Sequence, residues 1–332
     1  MLGCRDDAEY TSSQHPSIFY RIVLHYTGQF RMKLTLRQRQ IIWAYAFLSV
    51  SLVFFIVIRW YPTLLAFNIS FRDWNVFESS GPWVGMDNFA EIWEDAFKPR
   101  SAVRAAFTNT ILYVVYGVPL QLIFGLGIAL LLSQIRRFSA FFRVAYFAPY
   151  VTSAVAIAFV WNWLYQPQDG LINQFLSALN LPNQPFTSSP KQALQSVTAV
   201  AVWQNVGFAI IIFLAGIQQI PETYYEAARI DGANGWQIFW RITLPLLNPV
   251  IVYLTVLSTI SYLRLFALVQ NMSPQGTGGP LKSTTTVVLE VYREGFSSYN
   301  MGYAGALTVI LFFVILLITV VQLKFLTRRF EY

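Results

Sequence analysis

Six stretches of this chain are each long enough and apolar enough to cross a bilayer, and that limits its fold more than any other feature. They cover about 41–67, 107–132, 144–165, 196–217, 250–270 and 303–325. A spanning helix needs about 20 mostly apolar residues, and each stretch meets that length. The expected fold is an all-α membrane protein with six transmembrane helices. Composition agrees, with 55% of the 332 residues apolar and 12% charged. A soluble domain carries about 25% charged residues, so a single water-facing core does not account for this chain. Residues 1–40 are expected to form a poorly ordered cytoplasmic tail, and 41–332 the six-helix membrane domain with a long cytoplasmic loop at 218–248. Met32 opens the basic run "MKLTLRQRQ" directly before the first stretch, so a functional start near Met32 is expected.

Basic residues orient the spans. Six crossings put both termini and two loops on one side, which holds 14 of the lysines and arginines against 8 on the other, with Arg264 inside a span. Cytoplasmic loops carry the excess of positive charge, so both termini are expected in the cytoplasm. The net charge of +7 is thereby explained without nucleic acid, since no basic patch with a reading element accompanies it.

No enzyme signature is present. "GTGGPLKST" superficially suggests a phosphate loop, but Leu281 occupies the position directly before Lys282 where that loop needs glycine. Cys4, His15 and His25 lie in the tail without metal-ligand spacing, so neither a metal nor a cofactor is expected on this chain. None of the sixteen carboxylates falls in a span core, which weakens a proton-driven carrier.

Polar residues inside the spans are candidates for a solute path. Gln204 and Asn205 sit mid-span, where an amide needs a partner that lipid does not offer. Either a hydroxyl-rich solute or a neighbouring helix supplies it. Thr255, Ser258, Thr259 and Tyr262 recur at i, i+3, i+4 and i+7 and share one helical face. That face lines a solute path or packs against another helix through its small hydroxyl residues. Arg264 falls about half a turn round from the stripe on a regular helix, and an intramembrane charge is by default a functional candidate or a snorkelling side chain. In the outer loop before the second span, Phe89, Ile92, Trp93 and Phe97 fall at helical spacing with Asp87 as a possible cap. That pattern predicts a short amphipathic helix, either a lid over the bundle or a docking surface.

The inner loop carries the sharpest pattern: "PETYYEAARIDGANGWQIFWRITLPLLNP". Pro221 can open a helix. Gly232 permits a sharp turn. Asp231 or Asn234 can cap the helix that follows. Here Glu226-Ala227-Ala228, Gly232, Ile242, Leu244 and Pro245 stand at the E-A-A, three residues, Gly, nine residues, I-x-L-P spacing. At these residues the chain resembles the membrane subunits of binding-protein-dependent ABC importers. Over about 40–330, "YFAPYVTSAVAIAFVWNWLY", "GLINQFL" and "GGPLKSTTTVVLEVYREGF" resemble the carbohydrate-type branch, the maltose and glycerol-phosphate permeases.

The resemblance implies a type I ABC importer permease fold in a prokaryotic cytoplasmic (inner) membrane. It implies a second, commonly non-identical permease subunit, a cytoplasmic ATPase dimer that carries the ATP and Mg, and an extracytoplasmic binding protein that delivers a sugar or polyol solute. Glycerol phosphate, a polyamine or an amino acid is the alternative cargo. By position, Glu226 would make a polar contact to the ATPase, Ala227 and Ala228 would pack in its cleft, and Gly232 would make the turn.

Overall fold

A computed structural model describes residues 35–77, 81–135 and 137–326. The tail ahead of residue 35, with Cys4, His15, His25 and Met32, lies outside the described residues, as do Arg136, Arg328 and Arg329. Among the described residues the secondary structure is helical, apart from the isolated bridges Arg72↔Trp83 and Asn75↔Asn300. In chain order the helices are α1 Leu36–Ile69, α2 Asp87–Phe97, α3 Ala102–Gln134, α4 Ser139–Val151, α5 Ala154–Leu164, α6 Leu171–Ala178, α7 Ala193–Gln219, α8 Glu222–Ile230, α9 Gly235–Leu246, α10 Asn248–Leu263, α11 Ala267–Met272, α12 Val287–Phe296 and α13 Met301–Leu326. Four of these are long and apolar enough to span a membrane alone, and there are six spans if α4–α5 and α9–α10 are each one bent span.

The chain divides by its contacts between Pro62 and Thr63. In the first unit, the helix starts inside the expected tail. The Thr35 side chain accepts from the Gln38 amide while the Gln38 side chain accepts from the Thr35 amide, a capping box that satisfies two otherwise orphaned donors. Residues 36–40 are therefore helical. The stretch Leu36–Phe55 buries none of its side chains within the chain, leaving an apolar surface suited to lipid. Pro62 has no N–H, and its ring crowds the carbonyl four residues back, at Ile58. A π turn over Ile56–Trp60 widens the helix where that crowding would fall.

In the second unit α3 and α7 pack along their lengths. Ala129, Leu132, Ala209, Ile210 and Phe213 form one core, with Leu254 of α10. Tyr113, Val197, Ala201, Tyr262 and Leu268 form another. α4 crosses α7 at Gly207, where a Cβ would overlap the Tyr146 carbonyl, so a larger residue would force the backbones apart.

Two expected spans are corrected. The stretch 144–165 is not one helix: it turns by 96° between α4 and α5, at Thr152–Ser153. Pro149 removes a donor from the last turn of α4, and the Thr152 hydroxyl donates to the Ala148 carbonyl at 2.8 Å. The helix expected to run to residue 270 stops at Leu263, and α11 follows as a separate helix packed on α5. The stretch 271–302, left between the fifth and sixth expected spans, is not a simple loop: it contains α12, and part of 273–286 packs into the protein while Leu281 stays 89% exposed. Thr284, Thr285 and Thr286 are buried, and the Asn109 amide of α3 donates to the carbonyls of Lys282 at 2.9 Å and Thr285 at 3.1 Å. The Val287 amide donates to the Thr110 hydroxyl at 3.0 Å. Irregular backbone persists away from water when side chains meet its polar groups in this way.

Candidate functional site: the exposed α8–α9 turn and the polar interior

The E-A-A residues lie on α8. Pro221 precedes its first turn with extended backbone, consistent with the helix opening there. The helix closes in a Schellman motif: the Gly232 amide donates to the Arg229 carbonyl at 3.1 Å and the Ala233 amide to the Ala228 carbonyl at 2.9 Å. This closure needs a left-handed residue at Gly232, which has φ +79°. Asn234 then caps α9, accepting from the Gln237 amide at 2.9 Å, whereas Asp231 ends α8 and caps nothing.

Within this turn Glu226, Ala227, Asp231 and Gly232 are exposed. Ala228 is only 8% exposed and faces its own chain. The expectation that both alanines face a partner therefore divides: Ala227 is available and Ala228 is not. Ile242, Leu244 and Pro245 are partly buried in α9. Pro245 crowds the carbonyl at Arg241, and a π turn over Phe239–Thr243 makes the room. Tyr225 and Thr243 hydroxyls lie 3.4 Å apart and tie α8 to α9.

The polar residues of the spans fall into separate groups. Gln204 is buried and donates to the Thr152 carbonyl at 3.3 Å, at the break between α4 and α5. Asn205 donates to the Ala201 carbonyl at 2.8 Å, and its own backbone carbonyl accepts from Gln121 at 3.3 Å. On α10, Thr255 donates to the Ile251 carbonyl at 2.6 Å. Ser258, Thr259 and Tyr262 are buried, and the Thr259 hydroxyl accepts from Gln322 of α13 at 2.8 Å. The Tyr262 ring lies over Gly117 of α3.

Arg264 is not inside a helical span. It is exposed where α10 ends, and its cationic group there complements the negative end of the helix. Gln121 and Gln322 were missed in the sequence, although the signal that marked Gln204, an amide within an apolar stretch, marks them too. Gln121 Oε1, Tyr262 Oη and Gln322 Oε1 are buried without a partner among the described residues. A cleft of about 520 Å³ between α3, α4 and α7, lined by Leu120, Phe124, Tyr146, Pro149, Trp203 and Val206, is almost wholly apolar and does not include these amides.

At the other end of α3, α2 lies with Ile92 packed against Val103, Tyr303 and Leu307 while Trp93 and Phe97 face outward. Asp87 opens this helix as its first residue and does not cap it. The Tyr303 hydroxyl donates to Asp95 at 2.8 Å and Lys98 donates to it at 3.0 Å. Burial pushes the Asp95 carboxyl up, but the hydrogen bonds from Lys98 and Tyr303 outweigh it and hold the group below its ordinary value of 3.8. Glu290 of α12 is buried 3.2 Å from Arg293. Burial pushes its carboxyl up, and the Arg293 charge only partly draws it back.

Residues 96–332 match the family described as binding-protein-dependent transport system inner membrane component. The chain belongs to this family. The permease is 34% identical over 282 residues to the probable ABC transporter permease protein YesP of Bacillus subtilis, covering 84% of this chain and 89% of that protein. It is 30% identical over 286 residues to the sn-glycerol-3-phosphate transport system permease protein UgpA of Escherichia coli, covering 86% and 92%. In fold the permease resembles a chain of a bacterial ABC transporter involved in import of the acidic polysaccharide alginate, with TM-score 0.73 at 22% identity over 88% of this chain and 98% of that one. The all-α, multi-spanning architecture is that of an ABC importer permease, a transport subunit that is not itself catalytic. Among the described residues no group of His, Cys, Asp or Glu is placed to hold a metal.

Proposed function

We propose that this permease couples ATP hydrolysis on a separate cytoplasmic ATPase dimer to inward passage of a sugar or polyol-type solute handed over by an external binding protein. The observation that carries the reading is the α8–α9 turn, a compact exposed surface between two spans on which the E-A-A…G…I-x-L-P pattern falls. Glu226 and Ala227 face outward there and would meet the ATPase, while Ala228, Gly232, Ile242, Leu244 and Pro245 hold the turn's shape. ATP and Mg are bound by that partner. A second permease subunit, non-identical to this one, completes the pathway. The positive-inside bias supports a cytoplasmic location for the turn and both termini in an inner membrane.

For the solute, the names of the relatives and the chemistry of the spans lean the same way. Gln204, Asn205, Thr255, Ser258, Thr259 and Tyr262 offer neutral donors and acceptors, which suit hydroxyl groups. The Tyr262 hydroxyl, without a partner among the described residues, supports a path in which water or solute meets it when the bundle opens. Arg264, at the exposed end of α10, would meet an anionic group such as a phosphate if the solute carries one. The test is uptake in proteoliposomes containing both permeases and the ATPase, with binding protein supplied outside. Import that requires internal ATP and survives an uncoupler supports the reading. Import driven by an ion gradient alone would refute it.

A further inference from the structure

α9 is placed differently from the spans around it. Its axis is bent by 65° from that of α10, with the break at Leu247 just ahead of Pro249. Spans tilt by about 20° on average, so if α10 crosses the membrane, α9 lies roughly 5–45° from the membrane plane. Its 12 residues extend about 18 Å at about 1.5 Å each. Trp236 and Trp240 are four residues apart, 70% and 49% exposed, with ring centroids 5.5 Å apart. Phe239 packs 5.3 Å from Trp240. Arg241 is exposed beside them and makes no ion pair among the described residues. The opposite side of the helix, with Ile242, Thr243 and Leu246, is turned toward the protein.

We propose that the Trp236–Trp240–Arg241 face of α9 is a lipid-binding surface, seated at the inner headgroup layer and selective for anionic phospholipid. Three observations favour lipid over a protein partner. The helix runs into a span at an angle that lays it near the membrane surface. Its exposed aromatics are indoles, whose amphipathic rings favour the headgroup level. Its exposed charge is an unpaired cation, complementary to an anionic leaflet. Because the Gly232 turn joins α9 to α8, headgroups that hold α9 also set where Glu226 and Ala227 are presented. The inference rests on the proposed orientation, with residue 248 on the inner side.

The test uses the full chain in its complex with the partner permease and ATPase, reconstituted in vesicles of phosphatidylcholine with or without phosphatidylglycerol. A Trp236→Cys variant in a Cys4→Ser background carries an environment-sensitive fluorophore. Lipids bearing a headgroup-level spin label are expected to quench it strongly and aqueous iodide weakly. Native mass spectrometry of an otherwise unlabelled Arg241→Gln complex is expected to show retained phosphatidylglycerol reduced by about fivefold, the effect of one basic residue near an anionic surface. Arg100→Gln, outside this face, leaves retention unchanged. Strong iodide quenching, protection from both quenchers, or equal phosphatidylglycerol retention by Arg241→Gln overturns the proposal. In sealed vesicles with a known leaflet outward, reaction of the Trp236→Cys variant with an impermeant thiol reagent reports which side α9 faces. An error in the orientation is thereby separated from an error about lipid.

Discussion

Substitution of Gly232 isolates the geometry of the proposed coupling turn from its side-chain contacts. The residue has φ +79°, and a Cβ built there meets nothing within 4 Å. A larger residue therefore adds no clash, and its cost is confined to the backbone. An ordinary L-residue in the left-handed region costs about 1–2 kcal/mol, roughly a 5- to 30-fold drop in the equilibrium constant for closing the turn. Asparagine tolerates that region several-fold better than most residues, and a β-branched residue is the worst placed there. ATP-driven uptake is expected to fall in the order Gly232, Asn, Ala, Val, with Ala up to about 5- to 30-fold below Gly232 and Val lower still. The turn is exposed, so all four proteins should reach the membrane in equal amount. Uptake by purified complexes in proteoliposomes, normalised to incorporated permease, reads the series. Full transport by Gly232→Val would show that transport does not need a left-handed residue at this turn. A loss in Gly232→Asn as deep as in Val would show that φ is not what matters.

Other substitutions probe the interior and the contact between α2 and α13. Gln204→Leu removes the donor to the Thr152 carbonyl at the α4–α5 break and should lower resistance to denaturing detergent by about 0.6–1.7 kcal/mol, measured by loss of helicity on titration. Gly117→Leu should drive the Tyr262 ring aside at a cost of about 1–3 kcal/mol, because a Cβ at residue 117 already meets ring carbons at 2.5 and 2.6 Å; thermal unfolding in detergent checks it. Tyr303→Phe should cost about 1 kcal/mol by removing a hydrogen bond to Asp95. Since the native Asp95 carboxyl lies below its unfolded value of 3.8, its contribution is complete above that pH and is lost as the pH falls through the lowered native value. The acid-side fall in melting temperature should therefore be shallower in Tyr303→Phe than in the parent.

Hydropathy located the apolar stretches because burial in lipid demands length, and length is visible in sequence. It did not reveal their direction. Val144 to Tyr165 is continuously apolar whether the axis runs straight or turns by 96°, and the Thr152 carbonyl freed at that turn is met by Gln204 of another helix. The segment 273–286 reads as a surface loop because glycine, serine, threonine and proline dominate it, yet its end at Thr284–Thr286 is buried. What buries it is Asn109, 173 residues from Lys282 in the chain, and no local pattern carries that pairing. Arg264 read as intramembrane because its neighbours are apolar, yet the helix ends there. The gapped inner pattern located the turn, since a left-handed Gly232 at a fixed distance from Glu226 is a local requirement. It did not reveal that Ala228 faces inward, because adjacent alanines look alike until the helix is packed.

If the α8–α9 turn is the ATPase contact, Ala227 and Ala228 differ in whether they can reach that partner. The most direct measurement is site-directed cross-linking in a Cys4→Ser background, with a cysteine at Ala227 or Ala228 and a short thiol-to-amine reagent, in native membranes containing the ATPase. Ala227→Cys should yield an adduct with the ATPase subunit whose amount changes when ATP is added. Ala228→Cys, at a buried position, should yield little. An Ala227→Cys protein that reacts with the reagent yet never joins the ATPase would contradict that contact.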